Sequence, residues 1–165
     1  MIPRNSAWHE QQKTKIGDYG EELVMTYLES RGHVCYKALT DKAHLLDYFI
    51  YQKDREVIAA EVKTKPSRKK YPDTGFDYRH YEGYKKFTTE HNMRMFIFFV
   101  DDEKGEIYGN FLHELDKPRK QYPLDEMTRY GQIIRYYPLE AMIKIRPLTQ
   151  SEILTIRTLR GCDTP

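Results

Sequence analysis

Residues 45–65 read LLDYFIYQKDREVIAAEVKTK, and this stretch decides the fold. It holds two apolar runs, Leu45 to Tyr51 and Glu56 to Lys63, joined by a polar link from Gln52 to Arg55. Runs of this length, rich in β-branched and aromatic residues and bounded by polar ones, predict two neighbouring strands. Strand side chains alternate, so Val57, Ala59, Glu61 and Lys63 face one way and Ile58, Ala60 and Val62 the other. Glu61 and Lys63 then stand on one face roughly 7 Å apart at the backbone, near enough for their tips to converge. Asp47 lies among Leu45, Leu46, Tyr48, Phe49 and Ile50, and it reaches the same spot if the two strands pair. A lone buried carboxylate is costly, so three polar residues in apolar strands call for a shared explanation.

Outward from this pair, Ile16, Tyr19, Leu23, Val24, Tyr27 and Leu28 recur at helical spacing and predict an amphipathic helix from Ile16 to Ser30, stopped by Gly32. Residues 1 to 15 read as an extension of that helix or as a loose arm. Val34 to Ala38 predicts a short first strand. Pro66 to Asp77, rich in Lys, Pro, Asp and Gly, predicts a loop before a helix from Tyr78 to about His91. Arg94 to Val100 is apolar and aromatic enough for a buried strand, and Glu106 to Leu112 predicts another after a polar turn. The expectation is an α/β fold, a central mixed sheet flanked by helices in the order αβββαβ. Beyond Leu115 the pattern weakens, with a strand predicted from Gln132 to Tyr137 and a last helix from Ser151 to Arg160. The chain therefore divides into an N-terminal extension (1–15), a core (16–116) and a C-terminal extension (117–165) packed on the core.

Composition narrows the class. With 39% hydrophobic and 32% charged residues over 165 positions, the chain suits one globular domain. No apolar run approaches the roughly 20 residues of a membrane helix, and the first residues lack the apolar core of a signal peptide, so a cytoplasmic protein is expected. Cys35 and Cys162 stand far apart and predict free thiols, with no disulfide framework or zinc cluster. The net charge of +2 says little about partners, but eight Lys and Arg against four Asp and Glu lie between Lys63 and His91, interleaved with Tyr and Phe. Such a run serves a nucleic-acid surface or an ordinary solvated face.

Two carboxylates and an amine around one point suit phosphodiester hydrolysis. A hard divalent cation takes oxygen ligands, and Mg²⁺ needs only one or two carboxylates because it keeps several waters. Asp47, Glu61 and the Val62 carbonyl form such a set for Mg²⁺ or Mn²⁺, with Lys63 placed to orient or activate water. On the first helix, Glu21 falls at the border of the apolar face and Glu22 nearly opposite, so Glu21 is the acid expected to look inward and assist from an outer position. His44, three residues before Asp47, serves the site or the surface.

Gly17-Asp-Tyr-Gly20-Glu21 ahead of an apolar helix, then Asp47, then Ala60-Glu61-Val62-Lys63-Thr64-Lys65, resembles the PD-(D/E)XK nuclease superfamily over about residues 16 to 112. Leu46 stands where that motif carries Pro. The resemblance implies a restriction-endonuclease-like fold, with Asp47 and Glu61 as metal ligands, Lys63 as the catalytic lysine and Glu21 as the first-helix acid. It implies a metal-dependent endonuclease acting on DNA, with RNA as the alternative polymer and a homodimer or a larger DNA-processing complex as the working unit. Lys65, Arg68 and Lys69 of the loop and Arg79, Tyr84 and Lys85 of the second helix are the expected nucleic-acid contacts, while Tyr84 also fits simple packing on the sheet. Two rival readings stand beside this one. Glu61 and Lys63 form a strand-edge ion pair, or a nuclease-like fold binds nucleic acid or a partner without cutting.

Overall fold

The structure, a computed structural model, describes residues 4–37, 45–52 and 55–161. Helix α1 (Arg4–Ser30) opens the chain, so the helix predicted from Ile16 continues back to Arg4. Leu23, Val24 and Leu28 are buried on its inner face, as the spacing requires. Gly32, at φ +86°, ends it in a left-handed turn in which the His33 N–H donates to the Leu28 carbonyl.

The chain then forms β1 (Val34–Lys37), β2 (Tyr48–Tyr51), β3 (Ile58–Thr64), β4 (Asp73–Asp77), α2 (Tyr78–His91), β5 (Met95–Asp101) and β6 (Glu106–Phe111). A short α3 (Leu112–Leu115), β7 (Leu124–Met127), β8 (Ile133–Pro138), β9 (Ile143–Pro147) and α4 (Gln150–Leu159) complete it. Six strands build one mixed sheet in the order β1-β2-β3-β5-β6-β9, with β3 and β5 parallel and the other pairs antiparallel. A second sheet, β4-β8-β7, is antiparallel.

Strand alternation sorts the core into two layers. Tyr48, Ile50, Ile58, Ala60, Val62, Phe96, Phe98 and Val100 pack on one face with α1 and with Ile156 of α4. Ala59, Ile97, Phe99 and Tyr108 pack on the other with Tyr84 of α2, Phe76 of β4 and Tyr137 of β8. Asp77 caps α2 by accepting from the Arg79 N–H at 2.9 Å, and Thr149 with Glu152 forms a reciprocal capping box on α4.

Two local expectations are corrected, and two strands not read in the sequence are added. The loop predicted to run to Asp77 ends in β4, whose Asp-Thr-Gly-Phe-Asp composition reads as a turn and which is held extended by its ladder to β8. Leu112 starts α3 and does not end a strand. Strands β7 and β9, unread in the sequence, are edge strands whose pairing to β8 and β6 supplies the order that their own composition does not. Cys35 is a free thiol whose pKa burial pushes up to about 11, while Cys162 and His44 lie outside the described residues. No described helix is long and apolar enough to cross a membrane.

Close backbone approach makes one glycine of the central sheet irreplaceable. A Cβ at Gly109 of β6 would lie 2.1 Å from the Ile97 carbonyl oxygen of β5, a backbone atom that cannot swing aside. Gly109→Ala is expected to lower stability by about 3 kcal/mol or more, as strain in a packed core does. Urea unfolding followed by circular dichroism measures it.

Candidate active site

Tyr48 pairs with Ala60, and one residue earlier the Asp47 N–H donates to the Ala60 carbonyl at 3.0 Å. Continued by one residue, this register sets Asp47 opposite Glu61, and the next residue of β3, Val62, donates its N–H to Asp47 Oδ2 at 2.7 Å. In an extended strand the N–H and C=O of one residue point the same way, so the Val62 carbonyl also opens on the Asp47 edge, beyond the first residue of β2. Glu61 and Lys63 alternate onto the α2 face as predicted, and Lys63 Nζ lies 2.5 Å from Glu61 Oε1. The site therefore stands where β2 has ended and β3 continues.

Asp47 and Glu61 are both buried, with 7% and 8% of their surface exposed. Burial pushes the Asp47 carboxyl up to about 7, and the Glu61 charge beside it pushes the same way, against the Val62 N–H bond and Lys63. Glu21 adds to this crowding from α1. Its carboxylate is 2.5 Å from Lys37 Nζ on β1, and this bond raises the Lys37 pKa. Gly20 allows α1 to sit this close to the end of β3, because a Cβ there would fall 1.8 Å from Thr64 Oγ1.

Two groups of the site were not singled out in the sequence. His80 of α2 brings Nδ1 to 3.5 Å from Lys63 Nζ, and its burial, with the Lys63 charge, lowers its pKa and favours neutral imidazole. Lys37 pairs across the sheet with Tyr48, next to Asp47, and reaches Glu21. The α2 periodicity that favoured Tyr84 also places His80 one turn earlier on the same face, a signal available in the sequence. Nothing in the local pattern around Lys37 announces its partner, which comes from a helix 16 residues earlier.

The other expected contacts are scattered. Tyr84, 1% exposed, is packed against Phe76 at 5.5 Å, so its ring is not offered to a base. Its ring lies 5.7 Å from Lys63 Nζ, and burial, with the Glu61 charge beside it, raises its hydroxyl pKa, so it belongs to the site through packing. Lys85 leaves the site for Asp116 at 3.0 Å. Lys65 lines the cleft beside Lys63, but its Nζ is spent on the Gly75 carbonyl at 2.7 Å. Arg68 binds Asp73 through two nitrogens, reaches Glu126 at 2.7 Å and stacks on Tyr71 and Tyr136, a structural knot at the second sheet. Lys69 is exposed, 3.6 Å from Glu103, and Arg79 is exposed and paired with Asp77.

The donor set also decides which ion fits. Among the described residues no three His, Cys, Asp or Glu side chains converge as a closed metal cage. Two carboxylates and a carbonyl suit a hard ion that keeps waters, and the burial and Glu61 charge that raise the Asp47 pKa are what a divalent cation offsets. The residues present therefore fit Mg²⁺ or Mn²⁺.

The mixed sheet with helices on both faces matches a resolvase or restriction-endonuclease-like fold. Among solved structures the chain is similar to Hjc of Archaeoglobus fulgidus, a Holliday junction resolvase from an archaeal hyperthermophile. The two match with a TM-score of 0.51 at 10% identity, over 76% of this chain and 90% of that one. No family model matches the sequence, and no curated protein matches it. The likeness establishes a nuclease-like fold and leaves the chemistry to the residues.

Proposed function

We propose that the protein is a divalent-metal-dependent endonuclease that hydrolyses phosphodiester bonds in DNA. The observation that carries this reading is the pairing of two buried carboxylates, Asp47 opposite Glu61 across β2 and β3, with Lys63 on Glu61 and the Asp47 carboxyl raised by burial and by the Glu61 charge. Asp47, Glu61 and the Val62 carbonyl would hold the ion. Bound there, Mg²⁺ or Mn²⁺ supplies Lewis-acid polarisation of the phosphoryl oxygen and acidifies water.

Lys63 orients the attacking water and offsets negative charge as the water oxygen bonds to phosphorus, the water's proton passes to solvent and the bond to the leaving oxygen breaks, the leaving oxygen taking a proton from solvent. His80, next to Lys63 Nζ, and the Tyr84 ring limit where that amine can go. Glu21, tied to Lys37, holds the α1 side of the site. Where both strands are cut, two copies related by two-fold symmetry form the working unit.

Purified protein with Mn²⁺ or Mg²⁺ is expected to nick or digest DNA within a panel of single-stranded, duplex and branched substrates, with RNA alongside, and chelation is expected to stop it. Preference for RNA would move the substrate class. Tight DNA binding with no cleavage in any divalent ion would leave a binding role only.

A further inference from the structure

The cleft that holds Lys63 and His80 does not end at them. A cavity of about 810 Å³ runs across the end of β3, lined by Lys13, Ile16 and Gly17 of α1, by residues 62–66, by His80 and by Arg160 just after α4. Its wall carries Lys13, Lys63, Lys65 and Arg160 and not one Asp or Glu. These cations come from three separate parts of the chain, so the positive lining is a product of the fold and not of a local basic run.

The two outer cations are poised differently. Lys13 is exposed and makes no ion pair among the described residues. Arg160 is held through Nη1, 2.5 Å from the buried carboxylate of Asp102, which aims the guanidinium, while Nη2 is buried with no partner among the described residues. Gly17 presents bare backbone on the α1 wall, where a Cβ would meet nothing within 4 Å.

We infer that this cleft binds the phosphodiester backbone of the strand flanking the scissile phosphate, with Lys13 and Arg160 as phosphate contacts. The inference rests on the nuclease reading and gives both terminal segments a task. A single strand carries one charge per about 3.4 Å of axis, a repeating target that suits cations spread along an open cleft better than a small free anion would. Contacts of this kind position the polymer and carry no sequence preference.

The test uses the full chain and a fluorescein-labelled DNA strand and duplex, read by anisotropy in Ca²⁺ or without divalent ions, so that binding is scored apart from cleavage. Lys13→Glu is expected to weaken binding about tenfold at moderate salt and to reduce the slope of log affinity against log salt by about one. Lys13→Gln is expected to lose about threefold if reversal perturbs α1. Because Arg160→Gln alone would strand Asp102, it is made together with Asp102→Asn, and the pair is expected to lose about tenfold. Lys104→Glu, which lines a separate cavity with Glu106 and Lys144, should change binding less than about twofold and controls for net charge.

Parent-like binding by both cleft variants overturns the inference, as does a parent that binds neither DNA nor RNA. If those variants bind like the parent and the parent still cleaves, the nuclease reading survives alone. If charge reversal abolishes binding and no ion supports cleavage, the strand path survives and the hydrolytic reading does not.

Discussion

Asp47→Asn is expected to give a folded protein that has lost divalent-dependent hydrolysis by about a thousandfold or more, yet resists heat better than its parent when no divalent ion is present. Removing the charge removes one of the ion's two carboxylates, which accounts for the activity. The stability follows from burial. The Asp47 carboxyl stands at about 7 against an ordinary 3.8. Between those values the folded chain holds more protons than the unfolded one, so its stability falls as pH rises through 7 and is fully present below about pH 4. A tenfold change in acidity corresponds to about 1.4 kcal/mol, so the ionised carboxylate opposes folding of the ion-free protein by on the order of 4 kcal/mol. Asparagine carries no such charge and keeps an oxygen for the Val62 N–H.

Thermal unfolding at pH 5 and pH 8, with and without Mg²⁺, reads all of this. The parent should melt several degrees higher at pH 5 than at pH 8, and Mg²⁺ should restore the difference at pH 8. The Asn variant should show a flatter pH dependence and no response to Mg²⁺. Cleavage by the variant within about tenfold of the parent would remove Asp47 from the site.

Lys63→Met should divide the site differently. The Met side chain preserves much of the apolar stem against the Tyr84 ring while deleting the amine that bonds Glu61. Single-turnover cleavage is expected to fall at least about a hundredfold, the scale of a lost water-orienting and charge-stabilising group. Ion binding, followed by the Mg²⁺-induced rise in melting temperature, should persist or strengthen, because Glu61 no longer shares its carboxylate with an ammonium. Loss of ion response together with activity would mean that Lys63 holds the carboxylates in place and does not act on the reacting groups.

Much of this was legible before any coordinates. The helical spacing of Leu23, Val24 and Leu28 marked the inner face of α1, because a 3.6-residue period admits one apolar stripe. Val57 to Lys63 marked its own two faces, because the strand period is two. The pairing of two adjacent runs through a short link then brought Asp47 to Glu61 and Lys63, as the register of Tyr48 with Ala60 bears out.

What remained hidden depends on partners distant in the chain. Arg68 reads as a phosphate contact, yet it is claimed by Asp73, Glu126 and two tyrosine rings that only the second sheet brings together. Tyr84 offers the same residue type to a base or to the core, and packing of β4 and β8 over it decides for the core. Lys13 and Arg160 stand near opposite ends of the chain and meet one cleft only after α1 and α4 dock on the same sheet face. Taken alone, the sequence determined α1, α2, α4, most strands of the main sheet and which of their side chains share a face, since these follow from backbone periodicity within a few residues, whereas β4, β7 and β9 needed their pairing partners. The tertiary structure decided which polar groups are already paired, which are buried and which line the cleft, since solvation and Coulomb interactions depend on separation in space.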